Sequence, residues 1–177
     1  MANAIVKTIL ARVKKDAVSF VDLQFTDFLG TIKNSTIPVY NLTEALTRGV
    51  WIDGSSIEGF ARIHESDMFL MPDATTYALL PWRNHETGGR VARFICDVYK
   101  PNHEPFEGDP RNILKRALRE AKELGLSYYA GPECEFFLLP KDDHGNIIRT
   151  SAGNGYYFNL IMDESYTIKR EIMEALD

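Results

Sequence analysis

The sequence predicts an α+β fold, in which a small sheet packs around a helix. Two extended runs, Val18 to Phe25 and Thr31 to Val39, are separated by a turn-forming segment and therefore indicate a hairpin. A short helix-forming stretch follows the hairpin, and three further extended runs come after it. A strand pair, then a helix, then more strands is typical of an α+β arrangement.

Each element of this first region has a local signal. A helix is predicted over residues 4–14, because apolar residues recur there at helical spacing. Asn41 and Glu44 have the pattern of a capping box, and Gly49 suits the position after a helix end. A second helix is therefore predicted over Leu42 to Arg48. The later extended runs are Met68 to Met71, Thr75 to Pro81 and Arg90 to Tyr99.

A domain boundary is predicted in residues 101–108, where Pro and Gly crowd a polar run, so that the domains cover residues 16–100 and 107–177. Asp109 and Pro110 begin a helix whose apolar stripe ends at Gly125. The elements predicted after it are a buried strand from Ser127 to Leu139, a turn at 142–146, a strand from Tyr156 to Ile161 and a helix from Glu164 onward. So few elements cannot enclose a large core, and we expect the second region to be the opening of a larger, truncated domain.

Composition argues against several classes of protein. The formal net charge is −5, with Lys and Arg spread along the chain, so no nucleic-acid partner is expected. No run of about 18 apolar residues occurs and the first residues lack a signal-peptide pattern, so we expect a cytoplasmic protein that neither spans a membrane nor is secreted. Cys96 and Cys134 lie in extended runs and are interpreted as buried, reduced thiols.

Two carboxylates occupy alternate positions of the predicted strand from Ser127 to Leu139. Side chains two apart on a strand share one face, with about 6.5–7 Å between their Cα atoms. Glu133 and Glu135 can thus offer oxygen ligands to Mg²⁺ or Mn²⁺, while Phe136 points into the interior. The alternative is that the two glutamates lie on the solvent-exposed face of an edge strand.

A second candidate is Asp53, which precedes a Gly-Ser-Ser turn. As a structural residue, this aspartate would hold the turn through backbone hydrogen bonds. As a chemical group, it would attract a small cation and later accept a proton from it. The ordinary pKa of an aspartate, about 3.9, makes it a weak base, so its effect would be chiefly electrostatic.

Five segments, in this order and spacing, resemble type I glutamine synthetase of bacteria and archaea across nearly the whole chain. The segments are Asp53 to Phe60, Glu65 to Met68 with Met71 to Asp73, Ala92 to Val98, Phe106 to Arg111, and Gly131 to Phe137. The resemblance covers the N-terminal part of that family. It implies a β-grasp domain followed by an incomplete antiparallel-sheet catalytic domain.

The activity that the resemblance implies is that of an ATP-dependent glutamate–ammonia ligase working through a γ-glutamyl phosphate intermediate. Glu133 and Glu135 match the family's E-x-E motif, each serving a different one of two Mg²⁺ or Mn²⁺ ions. Asp53 matches the aspartate that binds and activates ammonium in the neighbouring subunit's active site. Arg62 matches a regulatory arginine of the glutamine-inhibited branch, although it can also be a surface residue that pairs with a nearby glutamate.

The resemblance also implies a homo-oligomer, a dodecamer of stacked hexameric rings when full length, with glutamate, ammonium and ATP as substrates. The glutamate and nucleotide pockets fall at family positions beyond Asp177, so no nucleotide-binding residue is assigned and the segment alone is expected to be inactive. Two alternatives stay open. One is a non-catalytic β-grasp module that docks on full-length subunits, and the other is a ligase that joins glutamate to a larger amine.

Overall fold

The computed structural model describes residues 2–57, 67–83, 89–133, 135–136, 139, 141–148 and 165–176. The chain divides into two compact units, Met1–Tyr128 and Tyr129–Asp177. The first unit contains α1 (Ala2–Lys15), β1 (Val18–Thr26), β2 (Ile32–Pro38), α2 (Leu42–Arg48), β3 (Val50–Asp53), β4 (Asp67–Pro72), β5 (Ala78–Arg83), β6 (Arg90–Tyr99) and α3 (Pro110–Glu123). The second contains α4 (Ser165–Leu176). The predicted α+β class is confirmed.

The strands of the first unit form a mostly antiparallel six-stranded sheet in the order β2-β1-β6-β4-β3, with β5 also paired to β6. β1 and β2 form the predicted antiparallel hairpin, and β1 runs parallel to β6. β4 and β5 are both antiparallel to β6, β4 along residues 96–99 and β5 along residues 90–93. β6 is therefore the strand with the most neighbours in this sheet.

The core lies on one face of the sheet, beneath α1 and α2. Ala92, Phe94, Cys96 and Val98 alternate along β6 and are fully buried, as period-two side-chain direction requires. The helices contribute a second set of buried side chains, which are Ile9, Val13, Leu42, Ala45 and Leu46. Cys96 is a free buried thiol, as predicted, and burial raises its pKa above the ordinary value.

A buried carboxylate joins α3 to this sheet. The pairing of β6 with β1 runs only as far as Ile95. Beyond it, the carbonyl of Val98 accepts from the Phe106 N–H at 2.9 Å, and the Val98 N–H donates to Asp109 Oδ2 at 3.1 Å. Asp109 Oδ1 also accepts from the Arg111 N–H at 3.0 Å and so caps α3, as predicted. The same fully buried carboxylate therefore caps the start of α3 and accepts the free backbone N–H of β6.

Two ion pairs reinforce that junction. Arg111 of α3 donates to Asp73, which follows β4, and to Asp97 of β6, with N–O distances of 2.7 Å in both pairs. Lys115, one helical turn later, also contacts Asp97 at 2.6 Å. All three groups of the Arg111 pairs are largely shielded, with side chains 17–22% exposed. Such pairs stabilise more than fully exposed ones.

The apolar side of α3 is not covered in the part of the chain that the structure describes. No residue of this helix is buried, and Leu114 and Leu118 are 53% and 40% exposed. The helix ends at Glu123, and the predicted Gly125 follows just after its end, with a φ of +74° that a glycine adopts without strain. The predicted amphipathic helix is therefore present, but its apolar stripe has no packing partner among the described residues.

Three local predictions for the first unit differ from the structure. The capping box is wrong, because Asn41 has helical φ and ψ within a 3₁₀ turn and its side chain makes no capping bond. The extended run from Thr75 is also wrong at its start, since a 3₁₀ turn over Ala74–Thr76 precedes β5. β3, a strand of four residues, was not among the predicted strands.

The second unit departs further from prediction. The strand predicted from Ser127 to Leu139 is absent at every position of that range that the structure describes. Phe136, predicted to be interior, is 61% exposed, because no neighbouring strand among the described residues pairs with this segment. The turn at 142–146 does form, with a bridge between Lys141 and Ile147, and α4 begins close to its predicted start. Cys134, Leu138 and the strand predicted over 156–161 lie outside the described residues.

We predict that Asp109→Ala lowers the free energy of unfolding by about 2–4 kcal/mol. The loss combines a helix cap, about 1 kcal/mol, with a buried Val98 N–H left without its acceptor, about 1–3 kcal/mol. Urea denaturation of the 177-residue chain measures it. Asp143→Ala, at an exposed position, is the matched control and should change stability by less than about 0.5 kcal/mol. Equal midpoints for the two variants would refute the dual role of Asp109.

A second prediction concerns pH. Partial burial opposes ionisation of Asp73, but hydrogen bonds from Thr75 and Arg111 outweigh it and lower the pKa to about 2. Because this pKa is below its unfolded value, Asp73 stabilises the fold fully above about pH 4 and loses that effect as the pH falls toward about 2. The free energy of unfolding of the wild type should exceed that of Asp73→Asn by about 2 kcal/mol at pH 6, and this difference should shrink below pH 4.

Urea midpoints at about pH 6, 4 and 2.5 test this dependence. Asp143→Asn, an exposed substitution of the same kind, is the control. A difference between wild type and Asp73→Asn that stays constant from neutral to acid pH would contradict the assignment.

Candidate functional site

Asp53 lies where β3 ends and a tight turn begins. Its backbone is still extended, with φ −86° and ψ 99°, and Gly54–Ser56 form a 3₁₀ turn directly after it. Asp53 Oδ1 accepts from the Ser55 N–H at 2.9 Å and from Ser55 Oγ at 2.6 Å, and Oδ2 accepts from Ser56 Oγ at 3.1 Å. The side chain therefore holds the turn, which is the structural role that the sequence also allowed.

These hydrogen bonds also set the charge of Asp53. The side-chain and backbone bonds from Ser55, followed by the bond from Ser56, lower the pKa of the carboxyl below its ordinary value. The side chain is exposed at the end of its strand. Asp53 is thus a fixed, ionised and accessible group, suited to attracting a cation and poorly suited to removing a proton from a weak acid.

A second carboxylate lies opposite Asp53 on the neighbouring strand. The antiparallel register of β3 and β4 pairs Asp53 with Asp67, which is also exposed. Opposed residues of such strands have Cβ atoms about 4.5–5.5 Å apart, and like charges at that spacing repel each other. Sequence reasoning missed Asp67 as a site residue, because β3 itself was missed. The signal that was available is the Val50-Trp51-Ile52 run of strand-forming residues before Asp53.

The turn after β4 has the same construction but a different charge balance. Asp73 Oδ1 accepts from the Thr75 N–H at 3.0 Å and from its hydroxyl at 2.6 Å, as Asp53 does with Ser55. Arg111 neutralises Asp73, whereas Asp53 makes no salt bridge with any residue that the structure describes. Among the described residues, the turn at Asp53 therefore has no basic partner for its carboxylate, and Asp67 is opposite it.

Glu133 and Glu135 belong to the second compact unit and are both exposed. Their segment is not a strand at the positions the structure describes, so the predicted side-by-side presentation on a buried strand is wrong for this chain. Carboxylate oxygens are still the donors that Mg²⁺ and Mn²⁺ prefer. The chemical type of the pair fits such an ion, although two carboxylates make up only part of a coordination shell.

Other expected features are outside the described residues or absent within them. Arg62 falls among residues 58–66, which the structure does not describe. Within the described ranges, no three His, Cys, Asp or Glu side chains are grouped closely enough to hold a metal ion. No helix in these ranges is both long enough and apolar enough to span a membrane.

Comparison with known proteins adds to this description. The family model "Glutamine synthetase, beta-Grasp domain" matches residues 17–101, and "Glutamine synthetase, catalytic domain" matches residues 107–177. Curated glutamine synthetases of Clostridium saccharobutylicum and Halobacterium salinarum are 46% and 47% identical over 178 and 172 residues. These alignments cover 100% and 97% of this chain but 40% and 38% of those proteins.

Solved structures agree on the fold. The cryo-EM structure of Plasmodium falciparum glutamine synthetase has a TM-score of 0.60 at 27% identity, covering 71% of this chain and 23% of that one. The structure of apo GmaS without ligand has a TM-score of 0.73 at 21% identity, covering 94% and 38%, and supports the fold alone. Both family models match in order, and the bacterial and archaeal relatives align along nearly the whole chain. This protein therefore belongs to the glutamine synthetase family and corresponds to its N-terminal part, a β-grasp domain followed by the start of the catalytic domain.

Proposed function

We propose that this chain is the N-terminal segment of a glutamate–ammonia ligase and contributes an ammonium-binding carboxylate and two metal ligands to it. The observation that carries the proposal is the exposed Asp53 carboxylate, whose pKa its own turn lowers, which is opposite Asp67 and makes no salt bridge within the described part of the chain. The chain spans about 40% of the length of the curated relatives it matches, so activity is proposed for a full-length version.

The proposed reaction has two steps. The side-chain carboxylate of glutamate attacks the γ-phosphorus of ATP, which releases ADP and gives γ-glutamyl phosphate. Ammonia then attacks the acyl carbon, and the C–O bond to phosphate breaks, which gives glutamine and inorganic phosphate. Ammonium must lose a proton before it can attack, so a site that concentrates the cation and tolerates the departing proton favours the second step.

Asp53 would supply the negative charge for that site. Hydrogen bonds from Ser55 keep the carboxylate ionised and fix its direction, so little reorganisation is needed when a cation binds. Because its lowered pKa makes Asp53 a weak base, its role is to hold ammonium, and the irreversible loss of phosphate draws deprotonation forward. By family resemblance, the site that Asp53 completes belongs to the neighbouring subunit, so activity would require assembly.

Glu133 and Glu135 would each hold one divalent ion, Mg²⁺ or Mn²⁺. Such ions neutralise and orient phosphate oxygens when bound. In the described structure the two side chains are exposed, and the apolar side of α3 in the same proposed domain is uncovered. Both features support a segment that works inside a larger domain, where further carboxylates and packing partners complete the surroundings.

Several finer features belong to the same proposal. We assign the β-grasp domain to residues 16–100 and the catalytic part to residues 107–177, ranges supported by the family matches at 17–101 and 107–177. The full-length protein would be a cytoplasmic dodecamer of stacked hexameric rings that uses ATP. Arg62 would transmit inhibition by glutamine.

We predict that Glu135→Ala abolishes glutamine formation in a full-length version of the protein, in which the rest of the catalytic domain follows residue 177. Loss of a carboxylate ligand weakens metal binding by at least about 10–100-fold. Coupled release of phosphate from ATP measures turnover. Glu120→Ala, an exposed glutamate on α3, is the matched control and should retain activity. Near-normal turnover of Glu135→Ala at low Mg²⁺ would refute the role of Glu135.

We predict that Asp53→Asn raises the KM for ammonium by about tenfold or more, which corresponds to about 1.4 kcal/mol of lost cation binding. Asparagine can still accept from the Ser55 N–H, so the turn is kept while the charge is removed. Initial rates at varied ammonium concentration measure the effect. Asp22→Asn, on β1, should leave the ammonium dependence within about twofold of wild type. An unchanged ammonium KM in Asp53→Asn would exclude the proposed site.

A further inference from the structure

A group of four charged side chains, here named the clamp, joins α3 to the ends of two strands. It consists of Asp73, Asp97, Arg111 and Lys115. Each terminal nitrogen of Arg111 binds a different carboxylate, Nη2 to Asp73 and Nη1 to Asp97, both at 2.7 Å. A planar guanidinium directs its donors in a fixed fork, whereas the donors of a lysine ammonium rotate around one nitrogen, so lysine at position 111 would keep the charge but lose the fixed geometry.

The clamp is at one end of β4, and the acidic pair of the candidate site is at the other. Asp67 is the first residue of the strand and is opposite Asp53. Pro72 is its last residue, and Asp73 follows directly and binds Arg111. Between these ends, Met68, Phe69 and Leu70 are almost fully buried, so β4 is packed along its middle on both faces.

A closely packed strand transmits a shift at one end to the other, because buried side chains tolerate little independent movement. Only the rest of β4, Met68 to Pro72, lies between Asp67 and Asp73 along the chain. Asp97 anchors the same guanidinium to β6, on the sheet face opposite the buried Cys96 and Val98. The start of α3 is thus tied both to the central strand and to the strand that carries Asp67.

We propose that Arg111 is a positioning residue, which holds β4 against α3 and so sets the place of the Asp53 and Asp67 carboxylates relative to α3. The inference rests on the proposed function, in that its kinetic effect is on ammonium. Arg111 itself touches no substrate. A misplacement of about 1 Å in a catalytic group can reduce rates by about a hundredfold, so a small movement of β4 is enough to matter.

The kinetic test uses Arg111→Met in the full-length version of the protein. The ammonium KM should rise by about fivefold or more, while the glutamate KM stays within about twofold, because only the acidic pair is displaced. Arg111→Lys should give an ammonium KM between those of wild type and Arg111→Met, since it keeps the positive charge but not the fixed fork of donors. Rates are measured well below the unfolding temperature of each variant.

Two control variants separate positioning from loss of stability. Arg119→Met makes the same substitution at an exposed position of α3. Ile37→Val removes a buried methyl group from β2, at the edge of the sheet farthest from β3, and lowers stability away from the clamp. Both should leave the ratio of ammonium KM to glutamate KM within about twofold of wild type. A ratio unchanged in Arg111→Met, or raised equally in Ile37→Val, would overturn the proposal.

Hydrogen exchange on the 177-residue chain gives a readout that does not need turnover. In Arg111→Met, amides of β3, β4 and the first turn of α3 should exchange about tenfold faster or more, with the β1–β2 hairpin unchanged. Exchange that is faster by the same factor across the whole sheet, or that is unchanged, would overturn the proposed role of the clamp. If the full-length wild type makes no glutamine while exchange changes as expected, the proposed function fails and the mechanical coupling stands.

Discussion

The first unit is built around β6, which bonds directly to β1, β4, β5 and the residue that caps α3. β2, β3, α1 and α2 attach to the neighbours of β6. One side of β6 pairs with β1 as far as Ile95 and then with the segment around Asp109. The other side pairs with β5 and then with β4. A strand bonded along both sides has no free edge, and its alternating side chains send one set into the core and the other toward α3.

Asp109 allows β6 to continue beyond its pairing with β1 without an unpaired N–H at Val98. An unpaired buried N–H costs about 1–3 kcal/mol, and the carboxylate removes that cost at Val98 while it caps α3. Burial raises the pKa of Asp109, and its bonds to backbone N–H groups oppose that rise. One side chain therefore links the sheet to the first helix of the segment that resembles a catalytic domain, and the nearby Arg111 pairs fix the direction of that helix.

Two aspartates of the β-grasp region make the same kind of turn but have different charged neighbours. Asp53 and Asp73 both end an extended segment and both bind the N–H and hydroxyl of the residue two positions later. Asp73 meets a guanidinium and becomes part of the framework. Asp53 is paired with Asp67 across β3 and β4, and no described residue makes a salt bridge with it. That contrast gives the proposed ammonium site a basis in this chain's own geometry, beside its family membership.

The predicted features that agree with the structure depend on short-range contacts. The bounds of α2, the turn of the β1–β2 hairpin, the Asp109 cap and the glycine end of α3 each involve residues within about four positions of one another, so the sequence carries their signals directly. β6 was likewise predicted as an extended run over Arg90 to Tyr99. The failed capping box at Asn41 shows the limit of such signals, because the chain enters α2 through a 3₁₀ turn that already places Asn41 in a helical conformation.

By itself, the sequence determined the α+β class, the family and the residue types of the candidate site. Only the tertiary structure decided that Asp67 is opposite Asp53, that Arg111 reaches back 38 positions to Asp73, and that residues 127–133 form no strand. The physical reason is the distance along the chain to the bonding partner. A helix or turn finds its partners within a few residues, whereas a strand or an ion pair depends on which distant segments pack beside it.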